Sequence, residues 1–144
     1  MRAIALILLT SVCLTSCGIG FRAEWARAAR MASTDGLAGR WEGTWLSDVN
    51  GHTGTLKCIV PSGGTAESQR EFLYRATWMK ILAATLSSDT EVKSNGKAHS
   101  FKSEKDLGML GGTFRCTGEV KGDEFHAKYT SYNDQGTFTM RRVP

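Results

Sequence analysis

Gly39-Arg40-Trp41-Glu42-Gly43-Thr44-Trp45 is the stretch on which the fold turns. Two Gly-x-Trp units follow one another in it, four residues apart. Read as a strand, its alternation puts Trp41, Gly43 and Trp45 on one face and Arg40, Glu42 and Thr44 on the other. Downstream, the chain breaks into further short alternating runs separated by Gly-containing turns. The expected strands are 40–48, 53–60, 71–79, 81–88 (running on toward Val92), 97–104, 112–120, 124–131 and 137–143. Asn50-Gly51 and Asn95-Gly96 carry the positive φ of tight hairpins. The stretch Thr77–Ser87, rich in Leu, Ala and Met, has helix as a rival reading.

Eight strands with one apolar face predict an all-β domain, an antiparallel up-and-down barrel whose closure removes exposed edges, with a β-sandwich as the alternative. The inward set by parity is aromatic: Trp41, Trp45, Phe72, Tyr74, Trp78, Phe114, Phe125, Tyr129 and Phe138. Small residues alternate with it, at Gly43, Ala76, Ala84, Gly118 and Ala127. That composition fits either a cavity lined for a small apolar ligand or an interior filled by its own side chains.

Upstream of the motif the chain reads as export signal and tether. Met1-Arg2 precedes an apolar run from Ala3 to Leu14. About 12 apolar residues fall short of the ~20 that span a bilayer as a helix, and match a secretory signal core. Leu14-Thr15-Ser16-Cys17 resembles the bacterial lipobox. The resemblance implies cleavage after residue 16 and acylation of Cys17 with palmitate-type chains. It implies a lipoprotein held on a cell-envelope membrane, with simple secretion as the alternative. Phe21, Trp25, Ala28 and Ala32 share a helical face, so residues 17–38 read as a tether with a short helix. Such a helix could plug an open barrel end or lie on lipid. The barrel domain is then 39–144.

Net charge is +4 with the basic residues scattered, which is a solubility pattern and excludes a nucleic-acid footprint. His52, His99 and His126 are dispersed without a metal-ligand spacing. Ser62-Gly63-Gly64 lacks a nucleophile-elbow frame. Neither a cofactor motif nor a catalytic set is read, and the expectation is a non-enzymatic protein, with a structural or interaction barrel or an envelope hydrolase as the alternatives. Protein partners leave no mark in the sequence. Cys58 and Cys116 both point inward, on strands that an eight-stranded barrel places on opposite walls. A flattened barrel would let them form a disulfide; a round one leaves two buried thiols.

Gly-x-Trp on the first strand with an Arg on the last resembles the lipocalin-like (calycin) barrels. The resemblance implies that Trp41 or Trp45 closes one barrel end and that Arg142 or Arg141 packs over its indole. The physics of that clasp is a guanidinium on an aromatic face. The chain also resembles small exported bacterial proteins with G-x-W starts and G-T-F ends, a likeness that brings no activity with it.

Overall fold

The computed structural model describes residues 20–31, 33, 35–63, 67–109 and 111–144. The signal segment 1–16, Cys17 and Ala32 lie outside the described residues. Eight strands follow one another: β1 Gly39–Ser47, β2 Thr53–Val60, β3 Glu67–Trp78, β4 Leu82–Asn95, β5 Ala98–Asp106, β6 Thr113–Lys121, β7 Glu124–Thr130 and β8 Gln135–Val143. Each pairs antiparallel with the next, and β8 returns to pair with β1, closing the barrel in sequence order. That closure excludes the sandwich.

The opening motif sits at the seam. Trp41 faces Cys58 on one side and Arg142 on the other; Trp45 faces Gly54 and Phe138. Gly43 is required by close approach. A Cβ there would stand 1.9 Å from the carbonyl oxygen of Thr139, a backbone atom that has no room to yield. The glycine lets β1 press against β8 between its two tryptophans.

The stretch Thr77–Ser87 is not helical. Thr77 and Trp78 end β3, and Leu82 begins β4, with Trp78 opposite Leu82. The hairpin is as long as Glu67–Trp78 against Leu82–Asn95, and this long ladder outweighs the modest helix propensity of Leu and Ala. Its turn falls at the expected strand break but carries no Gly to mark it: Met79 and Lys80 adopt φ of 53° and 62° themselves.

A helix, α1, covers residues 20–28. It does not plug the barrel. Phe21, Trp25 and Ala28 lie on its outer wall against Ile59 and Leu73. Trp25 is flanked by Arg40 and Lys57, 5.2 and 4.8 Å from the ring centroid. Along β7 the outer wall is polar: Glu124, His126, Lys128 and Thr130 point out and Phe125, Ala127 and Tyr129 point in. That is the inverse of a lipid-facing barrel.

The plug is a different segment. Asp35 to Ala38, read from sequence as the end of the tether, folds across the end of the barrel at which β1 starts, here the floor. Leu37 is fully buried and Ala38 nearly so. Asp35 Oδ1 accepts from the backbone N–H groups of Leu37 (3.1 Å) and Ala38 (2.9 Å). Trp41 Nε1 donates to the Leu37 carbonyl at 3.0 Å. Arg142 lies over the Trp41 ring, 4.3 Å from guanidinium carbon to centroid. It also donates to the Ala38 carbonyl at 3.0 Å, to the Gly36 carbonyl, and to Asp123 Oδ1 at 3.1 Å. Of the two arginines, Arg142 therefore makes the clasp; Arg141 points out and pairs with Glu124 at 3.6 Å.

Two predictions arise at the floor. Arg142→Lys keeps the charge and loses the planar fork that reaches two carbonyls, a carboxylate and a ring together. It should lower stability by about 1–3 kcal/mol, read as a lower urea midpoint. The second concerns acid. Burial disfavours the Asp35 carboxylate, but the N–H groups of Ala38 and Leu37 and the Arg70 guanidinium outweigh it and hold its pKa below the ordinary value. Arg70 Nη2 stands 2.7 Å from Asp35 Oδ2, an ion pair not aligned as a hydrogen bond. A depressed folded pKa stabilises above the unfolded value of about 3.9. The contribution is lost as pH falls through the lower folded value. Urea midpoints between pH 5 and 2 should fall more steeply for the native chain than for Asp35→Asn.

Candidate functional site: an open-ended cavity

The interior is unequal along the barrel axis. The floor half is packed. Trp41 and Phe125 have ring centroids 5.7 Å apart, Phe101 and Phe125 5.0 Å, and Phe72 and Phe101 5.3 Å. Val92, Val120 and Met140 fill the remaining space. The opposite half, where the β1–β2, β3–β4, β5–β6 and β7–β8 connections lie, encloses an open-mouthed cavity of about 510 Å³.

Six of the nine aromatics expected to line a ligand space do so: Trp45, Tyr74, Trp78, Phe114, Tyr129 and Phe138. Trp41, Phe72 and Phe125 do not; they belong to the packed half. The distinction follows position along each strand. Parity says inward, but only the closed barrel says at which height. The mouth aromatics form a connected wall, with Tyr129 stacked on Phe138 at 4.8 Å and near-parallel to Phe114 at 6.3 Å. Leu56, Ala76, Ala84 and Leu86 complete the apolar lining. The small pair Ala76 and Ala84, opposite each other on β3 and β4, leaves the space open.

Trp45 is not a floor clasp. Its Nε1 donates to the Thr77 carbonyl at 3.0 Å, which ties the indole to the cavity wall. Gly54 permits this, since a Cβ there would stand 1.6 Å from the Thr77 oxygen and 2.6 Å from Trp45 Nε1.

The polar groups of the site were missed from sequence. Asn50, His52, Ser131 and Asp134 line the mouth, and Leu107 joins them from the β5–β6 connection. Asp134 Oδ1 accepts from Ser47 Oγ at 2.5 Å and from the Gln135 N–H at 2.9 Å; its Oδ2 accepts from Tyr129 Oη at 3.0 Å. Burial, the Asp134 hydrogen bond and the charges of Asp134 and Asp48 push the Tyr129 phenol well up, so it stays a neutral donor. No spacing rule links Ser47, Tyr129 and Asp134; the ring of strands brings them together.

At the inner end of the cavity Tyr74 is 3% exposed and its hydroxyl has no hydrogen-bond partner. Cys58 and Cys116 are its titratable neighbours. Both cysteines are free and fully buried, so the structure contains two thiols and not the disulfide. Burial pushes the Cys116 thiol up to about 12 and raises Cys58 well above its ordinary value, the neighbouring Cys116 adding to it. Protonated, enclosed thiols are poor nucleophiles. Iodoacetamide should therefore leave both unmodified in the folded chain, and label both after unfolding in the absence of reductant, as counted by intact mass.

The histidines stay apart. His52 is at the mouth, His99 is buried with Nδ1 2.6 Å from Ser94 Oγ, and His126 lies outside near Glu124. Among the described residues no three His, Cys, Asp or Glu side chains form a group that could hold a metal ion.

The fold and the site together define a class: a small closed eight-stranded up-and-down barrel, compatible with the lipocalin-like architecture, sealed at one end and hollow at the other. Compared with models of protein families, with curated proteins and with solved structures, the chain matches none.

Proposed function

We propose that this is a lipid-anchored, non-enzymatic envelope protein of lipocalin-like type that holds a small apolar molecule in the mouth half of its barrel. The observation that carries the reading is the cavity. At about 510 Å³ it is large enough for a small ligand and is walled chiefly by aromatic and aliphatic side chains, as such sites are. The lipobox-like Leu14–Cys17 supports the anchor and the envelope location. A filled barrel with no ligand, the competing reading, fits the floor half and leaves the mouth half without a purpose.

Native mass spectrometry of the mature chain tests this directly. A co-purified small molecule is expected, or saturable binding of a neutral probe such as 1-aminoanthracene that quenches Trp45 and Trp78. A chain that carries nothing and binds no apolar probe overturns the ligand reading. The mass of the N-terminal peptide tests the anchor: an unmodified N-terminus beyond Cys17 removes it.

A further inference from the structure

The large apolar side chains left in solvent are not scattered. Val49, Met79, Ile81, Leu107, Met109 and Tyr132 are all exposed, at 39% for Leu107 and 59% or more for the others. They come from all four connections at the mouth: 48–52, 79–81, 107–112 and 131–134. The floor-end hairpin turns carry Asn95, Gly96 and Lys97, and Lys121, Gly122 and Asp123. Away from the mouth, Met31 is the one large apolar side chain this exposed among the described residues. An apolar rim drawn from four separate turns around one opening is a surface built to be covered. The β3–β4 turn holds two non-glycine residues at positive φ, Met79 and Lys80, a conformation that costs energy and that displays Met79 and Ile81 at the tip.

The direction of α1 says what covers it. Phe21 and Arg22, at the start of α1, lie beside Thr55 and Thr77, next to the mouth; Ala28 and Met31 lie beside Gly39 and Val60, at the floor. The chain therefore enters the domain at the mouth end. Cys17 is three residues before Gly20, and three residues span at most about 10 Å. An acyl anchor on Cys17 would hold the mouth, and not the floor, close to the membrane.

We infer that the mouth of the barrel rests on the lipid bilayer, with its rim side chains in the headgroup boundary and its cavity opening toward the acyl chains. This rests on the reading of Cys17 as the lipidated residue. Amphipathic surfaces with exposed Leu, Ile, Met and Tyr bind at that depth. Arg22, Lys80 and Lys105 balance Asp48, Asp106 and Asp134 at this end, so no net charge there calls for an anionic surface and a zwitterionic bilayer suffices.

The test uses the mature, full-length lipoprotein reconstituted into phosphatidylcholine vesicles and recovered by flotation. An environment-sensitive fluorophore is placed at the rim through Met109→Cys, or at the far end through Lys97→Cys; the buried native thiols remain unlabelled. The Met109 probe should shift to the blue and be quenched by nitroxide-bearing lipid several-fold more than the Lys97 probe. Floated protein with both probes in water, or with the Lys97 probe alone in lipid, overturns the orientation and leaves the anchor standing. A Met109 probe shielded only after addition of an envelope extract assigns the rim to a protein partner and overturns it too. A chain that does not float overturns anchor and orientation together. Ligand binding in the cavity is read separately by 1-aminoanthracene, so its failure is distinct from all of these.

Discussion

Trp41→Ala should destabilise the domain by about 3–5 kcal/mol, the range for emptying a core site of an aromatic side chain. Against the usual 5–15 kcal/mol of a domain this is a large fraction. The indole is fully buried, touches Phe125, donates to Leu37 and carries Arg142 on its face. Removing it leaves a cavity, an unpaired carbonyl and a guanidinium without its platform. The measurement is urea unfolding followed by far-ultraviolet circular dichroism. Trp45→Ala, four residues on, should cost clearly less, because its indole is only half buried and borders a space that is already open. Its larger effect should be weaker binding of the apolar probe. Equal stability losses at the two positions would contradict the division into packed floor and hollow mouth.

Ala76→Phe should abolish probe binding while leaving the fold intact. Ala76 points inward at the cavity wall opposite Ala84 and Leu56. A benzyl group placed there occupies the volume a ligand would take. Affinity for 1-aminoanthracene should fall at least about tenfold, equivalent to roughly 1.4 kcal/mol. The urea midpoint should barely change, because the ring enters a void and displaces no packed neighbour, unlike the usual overpacked core. Unchanged binding would place the probe elsewhere, and the cavity would lose its assignment.

The two experiments separate what was legible in the sequence from what was not. Alternation made the strands and their inward faces readable, since a period of two is local. Asn50-Gly51 and Asn95-Gly96 marked their turns for the same reason. The β3–β4 break fell where the expected strand bounds put it, but the helix rival stayed open there because Met79 and Lys80 take up positive φ without a glycine to announce the turn. The plug escaped because Asp35–Ala38 has no periodicity, and its partners Arg70 and Arg142 are distant in sequence. The polar rim escaped for that reason too, since Ser47 meets Asp134 across 87 positions.

By itself the sequence determined the all-β class, the strand order and the inward aromatic set, all consequences of local backbone geometry. Tertiary structure alone decided which of the two tryptophans in Gly39–Trp45 is the floor and which is the wall. It decided that Cys58 and Cys116 are buried free thiols, and that one half of the barrel is solid while the other is hollow. The reason is physical: parity fixes the direction of a side chain, whereas height along the axis, and the space left there, depend on closure of all eight strands.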